Sequence, residues 1–226
     1  AVGSVALRSN TTGAYNTASG YQALKSNTTG DDNTASGHKA LTSNTTGSLN
    51  TVYGSQALWQ NTTGNMNTAS GFRVLYSRSE GGANTASGYA ALYRNTTGSN
   101  NLANGFRALF ENTTGSNNTA SGRYALYSNT TGEYNTGVGN AADVASGDLT
   151  NATVIGYAAI VDASNKVRIG NSDVTVIEGQ VPFTSSSDER LKEDIKVVDK
   201  GSGFINDLTP VSYKRKNNKA ITVEMG

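Results

Sequence analysis

At 226 residues with 35% hydrophobic side chains, many of them alanine, the chain is long enough for one or two domains but poor in apolar surface for a compact monomeric core. A net charge of +1, with 10 basic and 10 acidic residues before Thr184, excludes the clustered cations of a nucleic-acid groove. The absence of cysteine and the single His38 exclude a disulfide framework and a thiolate or histidine-cluster metal site, and no apolar run reaches membrane-spanning length. No cofactor, metal or membrane insertion is expected. Ala1-Val2 enters in mid-repeat with no signal peptide ahead of it, as a segment of something longer would.

The chain then repeats itself. Glycine recurs at Gly3, Gly20, Gly37, Gly54, Gly71, Gly88, Gly105, Gly122, Gly139 and Gly156, always 17 residues apart, and such a period marks a stacked-repeat architecture of ten units. Gly20 to Ser36 serves as the template. An Ala-Leu pair follows the glycine, as at Ala23-Leu24, Ala40-Leu41 and Ala125-Leu126; then comes Asn-Thr-Thr-Gly, as at Asn27 to Gly30; then Asn33-Thr-Ala-Ser. Short strands separated by a polar turn are expected, with the turn glycine free to take positive φ. Two glycines and an Asn-Thr-Thr in each unit disfavour helix. Parallel stacking at about 4.8 Å per coil predicts a rod on the order of 50 Å long.

Stacking aligns Leu24, Leu41, Leu58, Leu75, Leu92, Leu109 and Leu126 in one column, and Ala18, Ala35, Ala69, Ala86, Ala103 and Ala120 in another. Aromatics form two more. Tyr21, Phe72, Tyr89, Phe106 and Tyr157 follow the leading glycine, while Trp59, Tyr76, Tyr93, Phe110 and Tyr127 follow the Ala-Leu pair. Because aromatics are more often buried than displayed, they are expected to pack between chains of an oligomer; a glycan-binding stripe is the alternative. Asn10-Thr11-Thr12 and its copies match the N-glycosylation pattern but read first as turns, and Asp31-Asp32 reads as a solvated turn rather than a cation site.

These repeats resemble the heads of trimeric autotransporter adhesins of the YadA type, through the Gly, Ala and Asn-Thr-Ala-Ser positions between residue 3 and about 179. The resemblance implies a left-handed parallel β-roll, or β-solenoid, built from three chains. The period here is longer than that family's common coil, which implies longer turns at Asn-Thr-Thr-Gly.

After Gly139 the pattern decays. Asp143 stands in the leucine column, and the next unit shortens to 14 residues between Gly156 and Gly170. Arg168 to Asn171 and Val174 to Ile177 read as terminal strands of a capping region. From Thr184 the composition changes. Leu191, Ile195 and Val198 have helical spacing, Ser186 and Glu189 fit a capping box, a second short helix through Phe204, Ile205 and Leu208 stops before Pro210, and alternation around Asn217-Asn218 predicts a hairpin. The expected divisions are 1–155 for the repeats, 156–183 for the transition, and 184–226 for a small α+β C-terminal domain.

Ser187-Asp188-Glu189-Arg190-Leu191-Lys192, with Leu208 to Lys214 downstream, resembles the start of the intramolecular chaperone domain of endosialidases, the peptidase S74 family, which ends many phage tail fibres. The resemblance implies that the domain trimerises the fibre and then removes itself. Ser187 would be the nucleophile and Lys192 the base of a serine-lysine dyad. On local sequence alone, the favoured reading is that Ser187 helps cap the helix and Lys192 lies on its solvated face; the hairpin downstream and the position right after a repeat fibre raise the family reading above it, and the family also leaves room for members that do not cut. The resemblance implies a longer helical portion beyond Gly226, so that residues 184–226 are expected to be only the front of the domain.

The expectation is therefore a homotrimeric structural fibre segment of a phage or phage-like particle, with its partners being copies of itself and a host-surface receptor such as a glycan. Its only enzymatic act would be one cut in its own chain. A bacterial surface adhesin is the alternative.

Overall fold

The computed structural model describes residues 1–77 and 79–179. The polypeptide divides into two units, Ala1–Ile177 and Glu178–Gly226. The first is a parallel β-solenoid of about nine turns, the ten leading glycines bounding nine intervals. Among the described residues there is no helix.

Its strands are β1 (Thr17–Ser19), β2 (Thr34–Ser36), β3 (Thr51–Tyr53), β4 (Thr68–Ser70), β5 (Thr85–Ser87), β6 (Leu102–Asn104), β7 (Thr119–Ser121), β8 (Thr136–Val138), β9 (Asp143–Val144), β10 (Thr153–Ile155), β11 (Ile160–Val161) and β12 (Val167–Ile169). One ten-stranded parallel sheet runs from β1 through β8 to β10 and β12, in register at the repeat period, so Ala18 faces Ala35 and Ala35 faces Val52. The middle residue of each strand through β8 points inward, and its neighbours on either side are half-buried or exposed. Inside, the leucine column from Leu24 to Leu126 is fully buried against the alanine column. Small side chains suit so thin a coil.

The sequence pattern predicts strands on both sides of the turn; the repeats have one strand each. The Ala-Leu segment is a chain of turns because two of its residues are left-handed, at φ 59 for Gln22 and 50 for Leu24. Such angles interrupt an extended chain and are costly for residues other than glycine or asparagine. They persist because each turn is bonded to the next coil, Leu24 N–H donating to Ala40 carbonyl (3.0 Å) and Leu41 N–H to Ala57 carbonyl (3.0 Å). Where Asp143 replaces leucine, the left-handed residue disappears and only Ala141 (φ 55) remains. There the segment straightens, and β9 pairs with β11 in a second sheet.

The Asn-Thr-Thr-Gly stretch also departs from expectation. Its asparagines are buried ladder rungs: Asn44 Nδ2 donates to Asn27 Oδ1 (2.7 Å) and to Gly47 carbonyl (2.8 Å). A second ladder climbs through the asparagine before each strand, Asn50 Nδ2 donating to Asn33 Oδ1 (3.0 Å) and Gly64 carbonyl (2.9 Å). A burial so complete leaves the glycosylation pattern at Asn27, Asn44 and Asn112 inaccessible in the folded coil. The glycine of this stretch does not take positive φ. It is glycine for lack of space: a Cβ on Gly47 would lie 2.5 Å from Gly64 carbonyl oxygen. The positive angle belongs to the leading glycine, as at Gly37 (φ 137), whose Cβ would also meet Gly54 carbonyl oxygen at 2.5 Å.

At the far end, β12 forms as expected, but Val174 to Ile177 makes no strand, and its apolar side chains are exposed. Gly170 (φ 77) turns the chain so that Val174 folds back over it, which takes the run off the sheet edge. The helices and hairpin expected from Thr184 onward lie outside the described residues.

Candidate functional site

Ser187 and Lys192 lie outside the described residues, so the site that the structure presents is on the solenoid. Two aromatic columns run along one face. In the inner column Trp59, Tyr76, Tyr93, Phe110 and Tyr127 follow one another at centroid distances of 5.0, 5.0, 5.0 and 5.4 Å, stacked from Tyr76 onward with Trp59 tilted by 39° to Tyr76, and each ring is half-buried. In the outer column Phe72 stacks on Tyr89 (5.6 Å) and Tyr89 on Phe106 (5.1 Å), with Phe72 39%, Tyr89 42% and Phe106 37% exposed. The stacking follows from the repeat, since a ring one coil away sits at roughly the 4.8 Å interstrand spacing.

Between these columns lies a third, one residue after the outer aromatics. It reads Gln56, Arg73, Ala90, Arg107 and Tyr124 in successive coils. The Arg73 guanidinium lies over Phe72 (5.0 Å) and Tyr76 (5.4 Å), and that of Arg107 over Phe106 (5.5 Å) and Phe110 (5.1 Å), so each bridges both columns. Arg73 Nε donates to Gln56 Oε1 (2.8 Å), whereas Arg107 Nε is buried without a hydrogen-bond partner. Neither guanidinium meets a carboxylate among the described residues, unlike Arg94, which is paired with Glu111 at 2.5 Å.

Ala90 breaks this middle column. Its methyl stands where neighbouring coils carry arginine, and the gap is a niche of about 160 Å³ lined by Arg73, Tyr89, Ala90, Tyr93, Arg107 and Phe110. A space of that size accepts one carboxylate or one edge of a sugar, and is too small for an organic cofactor. The aromatic columns were legible in the sequence, but the arginines and Ala90 were not singled out. Aligning the position after each outer aromatic was the signal that would have found them.

Two other features bear on chemistry. Asp143 is largely enclosed, and burial pushes its carboxyl above the ordinary aspartate value of 3.8, opposed by hydrogen bonds from Ser128 and Val144 N–H. Among the described residues no group of His, Asp or Glu is arranged to hold a metal ion, and Asp31 instead accepts a hydrogen bond from Ala14 N–H (2.7 Å) of the preceding coil.

Residues 187–226 match the peptidase S74 family, described as the chaperone of endosialidase, and the match spans both Ser187 and Lys192. Comparison of the chain with curated proteins and with solved structures finds no match.

Proposed function

We propose that the chain is a segment of a homotrimeric tail fibre of a phage or phage-like particle. Its repeats give reach and carry the surface that attaches to the host, while the C-terminal part directs trimerisation and then cleaves near Ser187. The observation that carries this reading is the peptidase S74 match at residues 187–226, directly after a solenoid whose coils are nearly interchangeable. Interchangeable strands align in several registers, and a non-repetitive element that associates first removes that ambiguity.

For the cut, the Ser187 hydroxyl needs a base, and Lys192 supplies one when burial at a chain contact holds its amine neutral. The hydroxyl proton passes to the amine as the oxygen attacks a neighbouring peptide carbonyl; the C–N bond then breaks, the departing nitrogen takes that proton back from Lys192, and water hydrolyses the ester left on Ser187. Assembly thereby switches on cleavage. The repeats' resemblance to YadA-type heads supports the trimeric state, and it also keeps a bacterial surface adhesin as the second reading.

Intact mass under denaturing conditions, with sedimentation of the native protein, tests the proposal on wild type beside Ser187→Ala and Lys192→Ala. The expected result is a trimer whose wild-type chain is split near residue 187 and whose variants stay whole. A trimer that remains uncut removes the peptidase step and leaves a permanent chaperone. A monomer that remains uncut sinks the reading.

A further inference from the structure

Deepening the host-attachment reading, on which it rests, we propose that the niche over Ala90 binds a carboxylated polysaccharide of the hexuronate type. Carboxylates pair with Arg73 and Arg107, and sugar rings lie against Tyr89 and Tyr93, which line the same niche. A guanidinium presents a planar fork to a carboxylate, and an aromatic face accepts the C–H face of a sugar ring. Arg107 Nε, buried and without a partner, is a donor that the fold leaves unused. Arg73 and Arg107 are two coils apart, about 9.6 Å at the interstrand spacing, comparable to the length of an extended disaccharide. An extended acidic chain running along the solenoid axis therefore meets a cation, a ring and a second cation in order.

A second copy of this chain is the competing occupant, and the charges argue against it. Packing this face around a three-fold axis would bring Arg73 and Arg107 of each copy together, and Glu111, the acid that follows Phe110, is already paired with Arg94. The rings do not require such a partner, since each already stacks within its own chain. The strand face suits a copy better. From Thr17 to Ile155 its strands through β8 and β10 carry no Lys or Arg, and Leu102, Val138 and Ile155 stand exposed on it.

The test is retention of the full chain on immobilised polygalacturonate, with dextran as the neutral control and sedimentation run in parallel. Each variant borrows a residue that the middle column already tolerates: Arg73→Gln and Arg107→Gln imitate Gln22 and Gln56, and Ala90→Tyr imitates Tyr124. Wild type is expected to bind polygalacturonate and not dextran, less well as salt rises. Each arginine variant should weaken binding about tenfold, the loss of one charge-assisted contact. Ala90→Tyr should abolish it by filling the niche, while Lys25→Gln, on the same side but outside the niche, should leave it unchanged. Equal retention on dextran, or undiminished binding by Ala90→Tyr, overturns the proposal. So does Ala90→Tyr dissociating the assembly, which would place the face between copies. Failure of binding with the trimer and the cut intact sinks this inference alone, whereas absence of both trimer and cut strikes the function on which it rests.

Discussion

Asn61 shows what a single rung contributes. It donates to Asn44 Oδ1 (2.7 Å) and Gly64 carbonyl, yet its own Oδ1 is buried with no partner, because the chain carries Arg78 where the next asparagine of the ladder belongs. A buried acceptor left unpaired costs about 1–3 kcal/mol. Arg78→Asn is therefore expected to raise the thermal midpoint. Asn44→Ala should lower stability by about 2–3 kcal/mol, since it orphans Asn27 Oδ1 and removes one of the two hydrogen bonds made at Asn61 Nδ2 and at Gly47 carbonyl. Denaturant unfolding of the two variants beside wild type checks both signs. Asp143 adds a pH dependence. Its folded pKa is raised by burial, so the fold binds the proton more tightly than the unfolded chain does. The favourable contribution is complete below the ordinary value of 3.8 and is lost as pH rises through the raised folded value. Asp143→Asn should accordingly raise the midpoint at pH 7 and bring little change in acid; a larger gain in acid than at pH 7 would contradict this assignment.

The coil is the element, and its limits are set by backbone contact. Gly37 holds φ 137 with the Gly54 carbonyl against it, so Gly37→Ala meets both a disfavoured angle and a collision. A loss of about 2 kcal/mol or more is expected. Leu109→Ala empties a fully buried position and should cost about 2–5 kcal/mol. Because each coil touches only its neighbours, both losses should stay local. Amide exchange read coil by coil is the measurement, with faster exchange expected in the affected coil and those beside it. Uniform acceleration from β1 to β12 would show that the stack unfolds as one unit instead. The left-handed residues belong to this scale too. Leu24 and its column mates hold φ near 50 only while a next coil bonds them, so an end of the stack is expected to fray first.

For the whole molecule the question is register. Thr-Ala-Ser recurs in β1, β2, β4, β5 and β7, so in the proposed trimer sliding one chain past another by a single coil would leave most contacts unchanged. A chain lacking residues 184–226 is thus expected to give mixed oligomers and aggregate, where the full chain gives one species. Light scattering after refolding distinguishes them, and a truncated chain that refolds to a single trimer would show that the repeats find their own register.

By itself the sequence was sufficient for the period, the parallel stack, the buried leucine and alanine columns, the rejection of helix, and the motif that places Ser187 in a peptidase S74 match. Those are local patterns, and in the repeats the many copies reinforce the reading. Tertiary structure alone decided the rest. Whether Asn44 faces water or the core, whether Gly47 needs its angle or its missing Cβ, and whether Leu24 lies in a strand all depend on atoms one coil away, beyond any local window. The niche over Ala90 is of the same kind. It exists because residues 34 positions apart, Arg73 and Arg107, are brought two coil spacings apart with a methyl group between them.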